Sequence, residues 1–98
     1  MKEKQFFVYI MASSKNGSIY TGITSDFAGR VWEHKNKVDP KSHTSKYNIT
    51  RLVYFEQYED AEAAIDREKL IKSKTRAYRI KLIEKDNPNW AELYHRLD

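Results

Sequence analysis

Two apolar, aromatic runs stand close together near the start of the chain, Phe6 to Met11 (FFVYIM) and Ile19 to Ile23 (IYTGI). The turn signal Lys15-Asn16-Gly17-Ser18 lies between them. This short connection constrains the fold more than any other feature. A parallel crossover needs a dozen or more residues, so the two runs must pair as an antiparallel hairpin. Glycine at the turn offers a positive φ. One face of the resulting sheet has to be covered by helices to make a core.

The rest of the chain supplies those pieces. Thr24 or Ser25 can cap a helix from about Asp26 to Lys37, with Asp26 well placed at its positive end. Phe27 and Val31 recur on it at helical spacing. Gly29 costs about 1 kcal/mol inside that helix and points to close packing or backbone approach. Residues 38–48 are polar, contain a proline and read as a loop. Leu52 to Tyr58 (LVYFEQY) reads as a third strand. Asp60 caps a helix to about Lys72, and Thr75 caps another from Arg76 to Lys85. Asn87-Pro88 reads as the start of a short closing helix, with Trp90, Leu93, Tyr94 and Leu97 on its buried side. The expectation is one small α/β (α+β) domain over residues 1–98, with three strands beside three or four helices.

Composition narrows the function classes. The chain has 98 residues and no cysteine. Disulfides and thiolate metal sites are therefore unavailable, which fits a cytoplasmic protein. The N-terminal apolar run is too short to span a membrane and lacks a secretory pattern. The formal net charge is +4, a mild bias toward anionic partners. Its distribution says more: from Arg67 to Lys81 the only acid is Glu68, among seven basic residues. That run is either a solvated helix face or a phosphate-binding face, in which Lys69, Lys72, Lys74, Arg76 and Arg79 would contact a nucleic-acid backbone.

Several polar residues point inward. Glu68 falls among Ala64, Ile65 and Ile71 at helical spacing, so it shares their apolar side. A carboxylate there needs a partner, either an arginine at the core edge or a metal ion. Arg30 and His34 lie one turn apart on the helix after Asp26. Arg30 can fork onto a phosphate, or pair with a carboxylate such as Glu68. His34 can accept or relay a proton near neutral pH, or be structural. Tyr9 and Tyr20 are core bulk or hydroxyl donors. Gly22 marks a turn or tight packing. Together this inventory can serve phosphodiester hydrolysis.

The ordered set VYI (Val8 to Ile10), YTG (Tyr20 to Gly22), GITSDFAGRVWEHK, LVYFEQYEDAEAAIDREKLIK, KLIE and NPNWAELY resembles the GIY-YIG nuclease superfamily. It is similar to the small stand-alone bacterial type called UPF0213. VYI stands where the family has GIY, and YTG where it has YIG, but the tyrosines and the glycine remain. The resemblance implies a small three-stranded antiparallel sheet flanked by helices. It implies a DNA endonuclease using one Mg2+ or Mn2+ ion. By position, Tyr9, Tyr20 and Arg30 match catalytic residues, Glu68 matches the metal-binding glutamate, and His34 matches a histidine common in this branch.

Two readings follow. The first is a metal-dependent endonuclease hydrolysing DNA phosphodiester bonds. The second is a nucleic-acid-binding module with little or no cleavage. DNA is the expected partner and RNA an alternative. Many relatives carry a separate DNA-binding region, so a specificity protein or a second copy of the chain is a further expected partner.

Overall fold

The computed structural model describes residues 4–96. Three strands, β1 (Phe6–Ala12), β2 (Ile19–Thr24) and β3 (Arg51–Tyr58), form an antiparallel sheet in the order β2-β1-β3. Four helices accompany it: α1 (Phe27–Lys35), α2 (His43–Lys46), α3 (Ala61–Ser73) and α4 (Arg76–Asp86). A 3-10 turn, Tyr94–Arg96, follows.

Strand alternation divides the core into two layers. Tyr9, Met11 and Leu52 pack with Phe27 and Val31 of α1. Val8, Ile10, Ala12 and Val53 pack with Ala64 and Ile71 of α3 and Ile83 of α4. The sheet is thus sandwiched, with α1 on one face and α3 and α4 on the other. An irregularity in the β1–β3 register between Ile10 and Met11 leaves Val53 without a partner. Leu52 and Val53 serve opposite layers by ordinary alternation, and the extra residue lets Tyr54 join Val53 on the same side.

Some expectations need correction. The positive φ of the hairpin turn belongs to Asn16, at 61°, and not to Gly17. Asparagine tolerates the left-handed region. Gly17 is needed for space, because a Cβ there would lie 2.3 Å from Ser13 Oγ. Residues 38–48 are not all loop: Ser42 caps α2, accepting from the Ser45 N–H at 3.3 Å. Ile65 is 41% exposed and outside the apolar stripe.

No helix starts at Pro88. The Asn87 side chain instead donates to the carbonyls of Val53 and Ala91 and accepts from the Ala91 N–H. These bonds commit the segment to a tight turn. Trp90 then takes φ 55° and is fully buried. Its indole N–H donates to Glu84 at 2.7 Å, and its carbonyl accepts from Arg51 at 3.0 Å. The expected contribution of Leu97 lies outside the described residues.

Candidate functional site

The α1 face of the sheet gathers four of the sequence-predicted residues. Tyr9 sits at the centre of β1, opposite Gly22 of β2. A Cβ on Gly22 would lie 2.6 Å from the Tyr9 phenol oxygen. The glycine therefore allows the Tyr9 ring to lie flat across β2. The phenol reaches His34 of α1, with Oη 3.1 Å from Nε2. His34 Nδ1 lies 3.0 Å from Thr44 Oγ1, which is 3.2 Å from Ser42 Oγ. A phenol is the better donor to a bare imidazole nitrogen, so we assign Tyr9 O–H as donating to Nε2 and Nδ1–H as donating to Thr44. Tyr20 completes the group, its ring centroid 5.3 Å from that of His34 and 6.3 Å from that of Tyr9.

Arg30 stands at the mouth of this chain. Its guanidinium donates to Glu33 at 3.1 Å, and its side chain is 46% exposed. The alternative role weighed for Arg30, a salt bridge to Glu68, is not taken up: its ion-pair partner among the described residues is Glu33. An exposed ion pair of this kind contributes at most about 1 kcal/mol, so a phosphate can displace Glu33 at small cost. Arg30, Glu33, His34, Ser42 and Thr44 line a cavity of about 140 Å³. Ser42 and Thr44 were not legible in the chain, because a four-residue helix has too few positions to show a period, and Glu33 reads there only as one more polar residue of α1.

Burial sets the protonation of the cluster. Desolvation, then the Arg30 charge, lower the His34 pKa to about 4. Desolvation, then Tyr20, push the Tyr9 phenol well above its ordinary value. Both groups are neutral at pH 7.

Glu68 lies apart. It belongs to α3, on the other face of the sheet, although α3 also packs against β2, the edge strand that carries Tyr20. Its side chain is only 14% exposed, and it accepts from Lys72 at 2.7 Å. Its partner is this lysine and not an arginine. Among the described residues, no three histidine, aspartate or glutamate side chains converge into a metal cage. A single largely buried carboxylate still fits Mg2+ or Mn2+, which are commonly held through one or two carboxylates, with water and substrate phosphate as the other ligands.

The α3 face holds a network that the sequence reading missed. Tyr54, Glu56 and Tyr58 alternate along β3 and so share this face. Glu56 accepts from both phenols and from a bidentate Arg67 fork, the closest guanidinium contact being 2.9 Å. Burial opposes its ionisation, but Arg67 and the phenols outweigh it and hold the carboxyl below the ordinary range. The YFEQY alternation is the signal that could have revealed this.

Arg67 is thereby withdrawn from the basic run, and other members are engaged too. Lys72 pairs with Glu68. Lys74 Nζ lies 5.6 Å from the Tyr78 ring centre. Arg76 clasps the hairpin turn, donating to the carbonyls of Asn16 and Gly17 at 2.9 and 2.6 Å. Arg79 is half-buried, and its Nε has no hydrogen-bond partner among the described residues. Lys69 is exposed.

Among the described residues, no helix is long and apolar enough to cross a membrane. Residues 5–81 match the family described as the GIY-YIG catalytic domain. The chain is 40% identical over 78 residues to UPF0213 proteins of Staphylococcus aureus strains Mu3 and COL, covering 80% of this chain and 93% of each relative. It is similar to the solution NMR structure of a UPF0213 protein from Bacillus halodurans, with 29% identity, a TM-score of 0.52, and coverage of 82% of this chain and 83% of that one. The three-stranded antiparallel sheet, its flanking helices and these matches agree: the chain belongs to the GIY-YIG family and is homologous to the UPF0213 proteins.

Proposed function

We propose that this chain is a nucleic-acid-binding module, with DNA as its partner, that grips a backbone phosphate through Arg30. The observation that carries this reading is the closed Tyr9–His34–Thr44 chain. Both His34 ring nitrogens are engaged, and its pKa of about 4 lies far below the value near 7 that suits a general base. Tyr9 is no readier to lose its proton. Arg30 is cationic, half exposed and only loosely held by Glu33. Its planar fork suits a phosphodiester oxygen pair. Lys69 and the other cations of α3 and α4 add a diffuse field.

Metal-assisted hydrolysis of a DNA phosphodiester is the second reading. Its specific support is Glu68, a largely buried carboxylate whose single ion-pair partner among the described residues is a half-exposed lysine. Glu68 would hold Mg2+ or Mn2+, and the ion would supply charge neutralisation at the phosphate. Arg30 would stabilise the added negative charge. Tyr9 and Tyr20 would orient water, and Tyr20 or His34 would take up its proton.

One experiment separates the two. Wild type, Arg30→Ala and Glu68→Ala are compared for binding labelled DNA across a salt series. The same proteins are tested for nicking supercoiled plasmid with magnesium, manganese or chelator. The binding reading expects salt-sensitive association weakened in Arg30→Ala and no nicking by any protein. Metal-dependent nicking lost in a folded Glu68→Ala protein would replace it with the second reading.

A further inference from the structure

A second cavity, of about 380 Å³, opens on the α1 face away from His34. That volume falls in the range of about 300–1,000 Å³ typical of small-molecule sites. Its walls are aromatic. Phe7 and Phe27 stack with centroids 4.4 Å apart, and Phe55 meets Phe27 at 5.1 Å and Phe7 at 6.4 Å. Phe27 is buried, but Phe7 and Phe55 remain half-buried on a face that elsewhere buries Tyr9 and Met11. The helix begins at Phe27, so it leaves this end of the sheet partly uncovered.

Polar groups share the same cavity. Asp26 precedes α1 as its N-cap residue, yet its carboxylate makes no capping bond. Gln57 donates to Gln5 at 2.9 Å, which leaves its own carbonyl oxygen to accept. Arg96 also lines the cavity. A purely apolar occupant would leave these groups facing it unpaired. An occupant with a flat π-face and a polar edge satisfies both kinds of wall.

We propose that this cleft receives one unpaired nucleobase, stacked on Phe7 and Phe55 with its edge toward Asp26, Gln57 and Arg96. The proposal rests on the nucleic-acid reading and deepens it by naming single-stranded or locally unpaired strands as the preferred form. Geometry links it to the phosphate contact. Phe27 and Arg30 are three residues apart on α1, about 4.5 Å along the helix axis. A strand with a base in the cleft would therefore run its backbone toward Arg30. Aromatic stacking tolerates any base, since each has a π-face.

The test uses the full chain and two single-stranded dodecamers, one with ordinary bases and one with abasic sites at its central positions. A third probe carries 2-aminopurine there. Stacking predicts that the base-bearing strand binds roughly 5- to 100-fold more tightly than the abasic one, with quenched 2-aminopurine fluorescence. Phe55→Leu should erase most of that gap. Equal binding of both strands, still salt-sensitive and weakened by Arg30→Ala, would overturn the base pocket while the phosphate reading stands. Failure of every strand to bind at low salt would overturn both. The comparison of base-bearing and abasic probes needs no variant, so a Phe55→Leu protein that fails to fold cannot obscure the answer.

Discussion

The Tyr9 phenol occupies the space that a side chain on Gly22 would need: a Cβ there would lie 2.6 Å from both Oη and Cζ. Two residues of the sequence signature therefore fit as one steric unit, since the glycine of the second strand is what allows the tyrosine of the first to reach His34. Gly22→Ala should push the buried Tyr9 ring away and destabilise the fold by about 1–3 kcal/mol, as overpacking does. Tyr9→Phe with Gly22→Ala should recover little, because the ring carbon clashes as well as the oxygen. Thermal denaturation of wild type and the two variants measures this. A Gly22→Ala protein as stable as wild type would show that β2 yields easily at this point.

His34 gives stability a pH dependence of definite sign. Its folded pKa is about 4 against an ordinary value of 6.5, owing to burial and then to Arg30. The unfolded chain therefore binds the extra proton more readily. The contribution is full above about pH 6.5 and is lost as pH falls toward 4. The groups around the ring are Tyr9, Tyr20, Thr44, Arg30 and Glu33, and the carboxylate of Glu33 only partly offsets the arginine. The shift corresponds to roughly 3 kcal/mol. Denaturant melts between pH 4 and 7 should show the slope, and His34→Gln should flatten it while lowering stability at pH 7. An unchanged slope in that variant would assign the acid sensitivity to carboxylates such as Glu56.

Much of this architecture is legible in the chain because its signals are local. The hairpin, the strand LVYFEQY and the helices capped by Asp60 and Thr75 all appear where turn chemistry, alternation and caps place them. The closing segment fails for a tertiary reason: Asn87 spends its amide on Val53 and Ala91, and no window around Asn87-Pro88 contains β3. The site divides the same way. Tyr9, Tyr20, Arg30 and His34 converge because β1, β2 and α1 are consecutive and tightly connected. Glu68 comes from α3, the helix that covers the opposite layer, and helical spacing could report only that it faced the sheet. In the sequence Arg67 belongs to a basic run, but its partner, Glu56, comes from a strand eleven residues earlier.

The Glu56–Arg67 pair should matter more than any surface ion pair of the chain. Both side chains are mostly covered, and the carboxylate also accepts from Tyr54 and Tyr58. Removing one partner leaves the other charge poorly solvated. Arg67→Met or Glu56→Gln should each cost about 2–3 kcal/mol, between the ranges for exposed and fully buried pairs. The double variant should lose clearly less than the two single losses added together. Urea denaturation of the four proteins closes the cycle. Strict additivity would mean that Arg67 acts through its apolar stem and Glu56 through the phenols.

The Arg30 contact makes a prediction about ions released from DNA. A phosphate held by one arginine contributes close to one unit to the slope of log K against log salt concentration. Arg30→Ala should lower that slope by about one and weaken binding similarly for unrelated sequences. Glu33→Gln should strengthen binding modestly, since it removes the competing carboxylate at 3.1 Å. Fluorescence anisotropy at four salt concentrations measures both. An unaltered slope in Arg30→Ala would move the phosphate contact elsewhere on the basic surface.

Glu68 can be tested without any assay of cleavage. The Glu68–Lys72 pair is half exposed on the lysine side and of the i,i+4 kind, so the pair itself is worth only about 0.3–0.5 kcal/mol. Glu68→Ala should therefore fold and melt close to wild type. If Glu68 holds a hard divalent ion, Mn2+ should broaden amide resonances of α3 around Glu68 in wild type and not in Glu68→Ala. Magnesium at tenfold over its dissociation constant should raise wild-type stability by about 1.4 kcal/mol and leave the variant unmoved. Lys72→Met should sharpen the effect, because it frees the carboxylate from its competitor. Identical broadening in both proteins would place the ion away from Glu68, and the second reading would lose the observation that favours it.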